Sequence, residues 1–477
     1  MTIDDLSTAP GEAESAAFGA MLNEIWRAAG GRDEALGRVA LAGTGSLPSA
    51  FAVTDLAAAS IAAAGLALSE WIGGAGAAAP EVRVDRRLAS FWFASSVRPQ
   101  GWSPPPPWDP IAGDYPTADG WIRLHTNAPH HRRAALAALG VADDKADKAN
   151  VAGAVAGWPG EKLEAAVVVA GGCAAQMRSI AEWAAHPQGV AVAAEPLLRT
   201  IALERAPLDD RPFDRARPLA GLRVLDLTRV LAGPVATRFL AGYGAEVLRI
   251  DPPDWDEPSL VAEIMIGKRT ARLDLRTHDG RARLIDLLAG ADVLIHGYRS
   301  DALERLGLGA QARREARPGL VDICLDAYGW EGPWRTRRGF DSLVQMSAGI
   351  ADAGMRRRGR DRPTPLPVQA LDHATGYMMA AAAVLGLARR RESGRGCETR
   401  ASLARTSLLL AQHDSSPGEA PIAPETAADC DDRIETTAWG PARRLRPPLA
   451  IAGAPMHWDR PPAPIGNDAP QWSGPAA

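Results

Sequence analysis

The sequence predicts an α/β fold: a doubly wound, Rossmann-like parallel sheet in a large domain, plus a smaller α+β domain. The first observation is that apolar runs typical of buried strands alternate with helical patterns between residues 222 and 326. Such alternation implies parallel strands with helices on both faces. The second is that residues 113–125 have the pattern of an antiparallel hairpin. A chain of 477 residues is also long enough for two or three domains.

The elements of the large domain follow a regular order. Predicted strands cover 222–227, 245–251, 291–297 and 319–326, and predicted helices cover 232–241, 281–290 and 301–307. Ligands of such sheets bind beyond the carboxyl ends of the strands. We do not expect NAD there, because the turn after the first strand, LTRVLAGP, lacks the G-x-G-x-x-G pattern even though Asp251 ends the second strand.

The smaller domain is predicted to precede the large one. The run SPPPPWDP at 103–110 is typical of a stiff, extended connector. The hairpin that follows has an Asp-Gly turn at Asp119 and Gly120. A helix over 130–140, then two helices and a strand within 161–198, complete the α+β pattern.

Composition excludes several function classes. Apolar residues make up 46% of the chain, charged residues make up 23%, and the net charge is −4, which argues against nucleic acid or an anionic membrane as the main partner. The four cysteines are scattered without a paired metal spacing, so we expect reduced thiols and no metal site. The first residues are acidic and the apolar stretch 56–69 is shorter than the roughly 20 residues of a membrane span. These features predict a soluble, cytoplasmic protein.

An isolated carboxylate, Asp372, stands at the start of a long alanine-rich helix in LPVQALDHATGYMMAAAAVLGLARRR (366–391). A short acidic side chain there can accept hydrogen bonds from the free N–H groups of the first turn, so a plain helix N-cap is one interpretation. The same position faces the positive end of the helix dipole, which favours the ionised form. An ionised carboxylate beside a reactive carbonyl is a potential covalent nucleophile. Asp372 is therefore the candidate catalytic residue.

The sequence around Asp372 has a partial copy near the N-terminus. Residues 51–93 repeat the plan of an aspartate, an alanine-rich helix, a Gly-containing turn and a second apolar helix, with Asp55 opposite Asp372. The copy lacks counterparts of Gly339-Phe340-Asp341 and of the later Gly-Arg-Gly motif. We interpret Asp55 as a structural N-cap in a non-catalytic copy.

Five further stretches occur in a specific order and spacing. They are PLAGLRVLDLTRVLAGPVATRFLAGYGAEVLRID (218–251), GKRTARLDL (267–275), ADVLIHGYRSDALERLGLG (291–309), LDAYGWEGPWRTRRGFDSLVQMSAGI (325–350) and ESGRGCETRASL (392–403). Together with the Asp372 stretch they resemble the family III coenzyme A transferases, which are carnitine/formyl-CoA transferase-like enzymes. The resemblance implies transfer of CoA from an acyl-CoA donor to a carboxylic acid acceptor, with Asp372 forming aspartyl anhydride and thioester intermediates.

The resemblance also implies which residues contact CoA. Phosphates call for cations, and the pantetheine arm for an apolar path. The candidates are Arg229, Val230, Lys268, Arg269, Tyr298, Arg299 and Arg305. Acyl-CoA and the acid are substrates, so no permanently bound cofactor and no metal is expected.

The order of the parts is unusual for this resemblance, because a segment like the second half of a family member precedes one like the first half. The predicted parts are an N-terminal helical lead (1–50), a degenerate second-half-like segment with the small domain (51–205), a linker (206–217), the Rossmann-like segment with Asp372 (218–410), a flexible linker (411–442) and a C-terminal return segment and tail (443–477). Since family members are interlocked homodimers, the resemblance implies either a homodimer or a pseudo-dimer within one chain.

Departures from the family pattern leave two alternatives open. The turn His296-Gly297-Tyr298-Arg299-Ser300 lacks the usual asparagine, so a non-catalytic protein that binds CoA esters, or a scaffold, is one alternative. An α-methylacyl-CoA racemase is the other. The resemblance to such racemases would require a histidine acid/base at the position of Phe340. The racemase is therefore disfavoured, because phenylalanine cannot transfer a proton. His373 adjoins Asp372 but should point elsewhere, as a partly exposed structural histidine.

Overall fold

The computed structural model describes residues 15–76, 78–207, 211–416 and 419–474, and residues 1–14 of the predicted N-terminal lead lie outside them. The strands are β1 (Val39–Ala42), β2 (Val82–Asp85), β3 (Val97–Pro99), β4 (Gly113–Pro116), β5 (Trp121–Leu124), β6 (Ala174–Gln176), β7 (Arg199–Arg205), β8 (Arg223–Leu227), β9 (Glu246–Asp251), β10 (Lys268–Arg272), β11 (Val293–His296), β12 (Val321–Asp326), β13 (Arg395–Ser402), β14 (Glu435–Thr437), β15 (Gly440–Arg444) and β16 (Leu449–Ile451).

The α-helices are α1 (Ala16–Ala28), α2 (Val53–Gly73), α3 (Arg86–Trp92), α4 (Pro129–Leu139), α5 (Lys148–Ala156), α6 (Gly160–Val169), α7 (Ile180–Ala185), α8 (Pro187–Ala194), α9 (Ala232–Gly242), α10 (Val261–Ile264), α11 (His278–Ala289), α12 (Ala302–Arg305), α13 (Ala310–Ala316), α14 (Asp341–Ser347), α15 (Ile350–Arg357), α16 (Ala370–Ser393) and α17 (Leu403–Ala411).

A seven-stranded sheet with the order β10-β9-β8-β11-β12-β13-β7 forms the large domain. Its first six strands are parallel, and β7 joins β13 antiparallel at one edge. The predicted α/β class and the four predicted strands are confirmed, because apolar runs flanked by helices are buried on both faces of such a sheet. Strand β7 comes from the N-terminal segment, so that segment is hydrogen-bonded into the large domain.

Helices α2 and α16 pack against each other at the centre of the molecule. Both begin in the same way: the residues before them, Ala52 and Gln369, have φ/ψ of −73°/60° and −77°/64°. Asp55 and Asp372 each occupy the third position of their helix. The internal repeat seen in the sequence is therefore also a repeat of backbone geometry. Small alanine side chains allow the two helices to approach closely over their length.

Helix α2 is also longer than the apolar stretch noted in the sequence. The helix Val53–Gly73 is long and apolar enough to cross a membrane, judged by length and composition alone. The prediction that this apolar stretch is too short for a membrane span was therefore wrong. In the structure, however, 89% of its most apolar window is buried inside the chain. The helix serves as a core element of this fold.

The small domain combines the antiparallel sheet β4-β5-β6 with helices α4 to α6. The predicted hairpin is present, and its turn is closed by the Thr117 N–H, which donates to the Gly120 carbonyl at 2.9 Å. The helix over 130–140 is also confirmed and ends at Gly140, which has a φ of 67° that favours glycine. Residues 161–198 contain three helices rather than two, because Pro187 begins a new helix directly after α7.

The small domain contacts the large domain through α14. The Arg178 N–H donates to the Met346 carbonyl at 3.0 Å. Cys173, directly before β6, and Ala175, within β6, pack with Leu343 and Met346 of α14 in one apolar cluster. This contact brings the small-domain helix α4 over the carboxyl ends of the large sheet.

Candidate active site

A cleft of ≈ 450 Å³ lies where the carboxyl ends of β8, β11 and β12 meet the small domain and the start of α16. Parallel sheets place their binding sites at this edge. Its lining combines apolar, cationic and acidic side chains from both domains: His130, His131, Leu227, Thr228, Arg229, Val230, Ala232, Pro252, Asp254, Trp255, Gly297, Tyr298, Arg299, Ala302, Leu325, Asp326, Ala327, Arg337, Arg338, Gly339, Phe340, Asp372 and Leu403.

Asp372 lines this cleft from the first turn of α16. The N-cap position belongs to Gln369, and the Asp372 side chain caps nothing, so the N-cap interpretation was wrong. The residue is only 6% exposed. Its own backbone N–H donates to Asp341 Oδ2 at 3.0 Å, which places two carboxyl groups side by side.

The electrostatics of this pair differ from the sequence expectation. Burial, and then the neighbouring Asp341 carboxylate, hold the pKa of Asp372 well above its usual range. The expected stabilisation of ionised Asp372 by the helix start is therefore outweighed. Burial also raises the pKa of Asp341, but this carboxylate accepts hydrogen bonds from the Asp372 N–H and from Gln345. The negative charge of the pair accordingly resides on Asp341 and the proton on Asp372.

Three arginines give the cleft an excess of positive charge. Arg229, Arg299 and Arg338 form no ion pair with a carboxylate in the described part of the chain. Arg229 donates to the Tyr298 hydroxyl at 3.1 Å and lies 4.9 Å from the Trp255 ring centroid. Burial, and then the charge of Arg338, lower the pKa of Arg299, as expected for a cation that lies near another cation.

The structure does not bring the other predicted cations to the cleft. Lys268 is buried, and its Nζ lies 3.2 Å from Asp226 Oδ2. Arg269 donates to the Gln471 carbonyl at 2.7 Å, and Arg305 is 72% exposed and paired with Asp301. Their charges are already engaged by protein groups, which the sequence could not indicate. Of the predicted contacts, only Arg229, Val230, Tyr298 and Arg299 line the cleft with Asp372.

Val230 holds an unusual backbone conformation in the loop after β8. Its φ of 65° makes it the one non-glycine residue with positive φ among the described residues. Its N–H donates to Glu257 Oε1 at 2.7 Å, which fixes the loop. A β-branched residue in the left-handed region costs about 1–3 kcal/mol, and such strain concentrates at ligand-binding loops.

The small domain contributes a layer of aromatic rings. His125 stacks on Phe340 with ring centroids 3.9 Å apart, and the His131 ring meets the edge of Phe340 at 5.8 Å. His131 is 3% exposed, and neither of its ring nitrogens has a hydrogen-bond partner within the described ranges. Burial, and then His130, lower the pKa of His131 to about 3, so its imidazole is neutral.

His373, next to Asp372, points away from the cleft as predicted. It stacks on Phe93 with a centroid distance of 4.9 Å and is 1% exposed. The expectation of partial exposure was wrong, because the first turn of α16 is enclosed by the N-terminal segment. Burial lowers the pKa of His373 to about 3.

Asp55 has a different environment from Asp372 despite its matching helix position. Arg86 Nη2 lies 3.2 Å from Asp55 Oδ1 and 2.8 Å from Glu419 Oε1. The interpretation of Asp55 as an N-cap was wrong, since its side chain caps nothing, but a structural ion pair agrees with a non-catalytic role.

Sequence reasoning missed three acidic and aromatic features of the cleft. Phe340 was noted for a missing histidine and Asp341 only as part of the motif that the N-terminal copy lacks, although this carboxylate could have suggested a partner for Asp372. Asp326 was treated as the end of a strand, yet it lines the cleft at 4% exposure. Burial raises the pKa of Asp326 to about 8, despite the hydrogen bond from the Tyr328 N–H at 2.9 Å.

Comparisons with known proteins bear on part of the chain. Residues 219–425 match CoA-transferase family III. "Acyl-CoA transferase" of Fusarium pseudograminearum is 32% identical over 40% of this chain and 46% of that protein. "Probable fatty acyl-CoA transferase Rv3272" of Mycobacterium tuberculosis is 32% identical over 38% of this chain and 48% of that protein. "Succinyl-CoA:glutarate CoA-transferase" of Mus musculus is 30% identical over 38% of this chain and 44% of that protein.

Part of the chain is also similar to a protein of known structure. The crystal structure of Rv3272 from M. tuberculosis in its orthorhombic form is 29% identical over 41% of this chain and 59% of that chain, with a TM-score of 0.37. The chain spans less than half the length of the three curated relatives named above. The match of residues 219–425 to CoA-transferase family III confirms the resemblance found in the motifs of this part of the chain.

Proposed function

We propose that this chain is a CoA transferase that moves coenzyme A from an acyl-CoA donor to a carboxylic acid acceptor, with Asp372 as the covalent nucleophile. One observation carries the proposal: the buried Asp372 carboxyl group lines the same cleft as three arginines that have no carboxylate partner among the described residues. A carboxylate suits acyl transfer, and unpaired arginines suit phosphates. The relatives named as CoA transferases support the reaction class.

The chemistry balances without ATP. The ionised Asp372 carboxylate attacks the thioester carbonyl, the C–S bond breaks, and CoA leaves as a thiolate, so that a mixed acyl–aspartyl anhydride remains on Asp372. The thiolate then attacks the aspartyl carbonyl, which releases the donor acid and forms an aspartyl–CoA thioester. The acceptor carboxylate attacks this thioester, and the expelled thiolate attacks the acyl carbonyl of the new anhydride. The new acyl-CoA is released and the Asp372 carboxylate is restored.

Within this proposal different residues of the cleft contact different parts of CoA. Arg229, Arg299 and Arg338 bind the phosphates, because an anion between them would relieve their mutual repulsion. Tyr298 and Val230 contact the less polar arm of CoA. Coenzyme A is thus a substrate, and the proposal includes no permanently bound cofactor.

We infer that the chain completes this cleft by itself, as a pseudo-dimer. The cleft is lined by His130 and His131, which lie in the N-terminal segment, and by Asp372, which lies in the C-terminal one. The packing of α2 on α16 supports the same inference, because the repeated helices already cover each other within one chain.

A racemase-type reaction is the second candidate, and His131 is the observation that favours it. Its neutral, unpartnered ring lines the cleft with Asp372, so an acid/base pair is available although Phe340 is not a histidine. Such a pair would exchange the proton at the carbon next to the thioester carbonyl.

Covalent trapping tests the proposal. The chain is incubated in D₂O with a panel of acyl-CoAs, including succinyl-CoA and branched thioesters. Hydroxylamine is then added, and the Asp372 peptide is analysed by mass spectrometry. We expect a hydroxamate on Asp372, and the productive thioester identifies the donor class. Light scattering on the same sample determines whether the labelled chain is a monomer, as a cleft completed within one chain requires.

The trapping experiment also separates the alternatives. Deuterium in recovered acyl-CoA without a label on Asp372 would favour the racemase-type reaction. Retained CoA-ester binding with neither label nor deuterium would contradict both reactions and favour a non-catalytic binding protein.

Changing Asp341 to Asn should move the acid limb of the pH–rate profile to lower pH. The nucleophile acts as a carboxylate, so the rate rises as pH rises through the pKa of Asp372. The Asp341 charge adds to burial in raising that pKa, and removing the charge lowers it. Asparagine still accepts the Asp372 N–H through its amide oxygen. The measurement is kcat/KM against pH for both chains.

The control for this shift is Asp352→Asn. Asp352 is a buried carboxylate on the neighbouring helix α15, and it pairs with Arg356 at 2.8 Å. The Asp352→Asn variant should leave the acid limb of the pH–rate profile unchanged. A limb that stays fixed in Asp341→Asn, or moves to higher pH, would contradict the assignment of the charge to Asp341.

A further inference from the structure

A second cluster of reactive side chains lies on the large sheet, away from the lining of the cleft. His296 at the end of β11 and Cys324 on β12 are register partners on adjacent parallel strands. Asp322 lies two residues before Cys324, so its side chain projects from the same face of the sheet. All three are 4% exposed or less. Although His296 and Asp322 are 26 positions apart in the sequence, the sheet holds their side chains together.

The atoms of this cluster are spaced as zinc ligands are. Cys324 Sγ lies 3.0 Å from His296 Nε2 and 3.6 Å from Asp322 Oδ1, and His296 Nε2 lies 3.6 Å from Asp322 Oδ1. Zinc–ligand bonds of about 2.0 Å to nitrogen or oxygen and about 2.3 Å to sulfur place tetrahedral ligands roughly 3.3–3.6 Å apart. The three donors therefore need only small movements to share one ion.

The residues around Asp322 orient its carboxylate toward the other two ligands. Arg313 Nε and Nη2 lie 2.8 and 2.7 Å from Asp322 Oδ2, which leaves Oδ1 directed at His296 and Cys324. Glu398, on the adjacent strand β13, is engaged by Arg314 and Arg400. Arg313 also provides the outer-sphere contact that orients a ligating carboxylate.

We propose that His296, Asp322 and Cys324 bind a zinc ion, with the fourth coordination position open. A thiolate, an imidazole nitrogen and a carboxylate oxygen on rigid strands form a donor set that suits Zn²⁺ better than Mg²⁺ or Ca²⁺, which prefer oxygen ligands alone. On binding, Zn²⁺ replaces the thiol proton of Cys324, which passes to solvent. The ion fastens β11 to β12 directly before Gly297, Tyr298 and Arg299, which line the cleft.

This inference is independent of CoA transfer, and it differs from the expectation, drawn from cysteine spacing, that the chain has no metal site. Paired Cys spacing along the sequence reveals sites built in one loop. A site built across two parallel strands has ligands separated by a whole helical crossover, so it has no spacing signature.

Zinc binding by the full chain, made without a polyhistidine tag, tests the proposal. The protein is dialysed against EDTA and then against ZnCl₂, desalted, and measured by inductively coupled plasma mass spectrometry. We expect close to one zinc per chain. The Co²⁺-loaded chain should show a thiolate-to-cobalt charge-transfer band in the near ultraviolet.

Variants identify the ligands. Cys324→Ser and His296→Gln should lose the bound zinc and the cobalt band. Cys173→Ser, which replaces another buried thiol outside the cluster, should keep both. Circular dichroism confirms that each variant is folded. If a ligand variant fails to fold, the cobalt band of the native chain and of Cys173→Ser shows whether a thiolate other than Cys173 binds the metal ion. A native chain without zinc or a thiolate band, or zinc fully retained in a folded Cys324→Ser, would overturn the proposal.

Discussion

Replacing Asp372 by Asn should lower the rate of CoA transfer by about 10³-fold or more, because the amide cannot form the anhydride on which every later step depends. Binding of the CoA ester should persist, since the cationic residues Arg229, Arg299 and Arg338 are untouched. The rate is measured by chromatography of acyl-CoA products in single-turnover mixtures. Asp372→Ala is measured as well, since a new asparagine can deamidate slowly to aspartate and restore activity.

The chain provides its own matched control in Asp55→Asn. This residue has the same position in the repeated helix α2, but it pairs with Arg86 instead of lining the cleft. Arg86 keeps Glu419 as a partner after the change, at 2.8 Å. Asp55→Asn should therefore retain the transfer rate while lowering stability. Equal rate losses in the two variants would contradict the assignment of the nucleophile to Asp372.

The sequence was sufficient for the centre of the sheet but not for its edges. Strands such as Arg223–Leu227 are buried on both faces, so their apolar runs predict them directly. Strand β7 (Arg199–Arg205) is largely exposed and polar, and β13 (Arg395–Ser402) contains few apolar residues. Their pairing is determined by tertiary contact, which carries no signal in either segment alone.

The candidate site divides in the same way. Asp372 and the loops with Arg229 and Arg299 were available from the motifs and the resemblance they support. His131 was not, because it lies in another segment and reaches the cleft only through packing of the small domain. Lys268 was expected to bind phosphate, but a buried carboxylate, Asp226, engages its charge. The type of a residue suggests a role, and its partners in space decide whether it is free to perform it.

Replacing Glu263 by Ala should destabilise the fold by about 3–5 kcal/mol, the cost of leaving a buried charge without its partner. Glu263 joins the N-terminal and C-terminal segments. Its Oε2 accepts the N–H groups of Ser96 and Val97 at 2.9 and 3.0 Å, and its Oε1 accepts the Ser96 hydroxyl at 2.8 Å and the fully buried Arg238. Urea unfolding followed by tryptophan fluorescence measures the loss as a change in the free energy of unfolding.

The control is Asp33→Ala, which removes an exposed ion pair with Arg27. Exposed pairs contribute little to stability because water screens them, so this variant should unfold almost as the native chain does. Glu263→Gln, which keeps the shape and the accepting oxygen, should lie between the two. A loss in Glu263→Ala no larger than that in Asp33→Ala would contradict the importance of the junction.

The pH dependence gives a second test of the same junction. Burial alone would raise the pKa of Glu263, but Arg238, Arg444 and the Ser96 donors lower it to about 2. A folded-state pKa below the unfolded value means that the stabilisation is fully present above about pH 4.5 and is lost as pH falls toward 2. The difference in unfolding free energy between the native chain and Glu263→Ala should therefore narrow across this range. A difference that stays constant down to pH 2 would show that the variant acts through lost packing, and that the charge of Glu263 does not hold the two segments together.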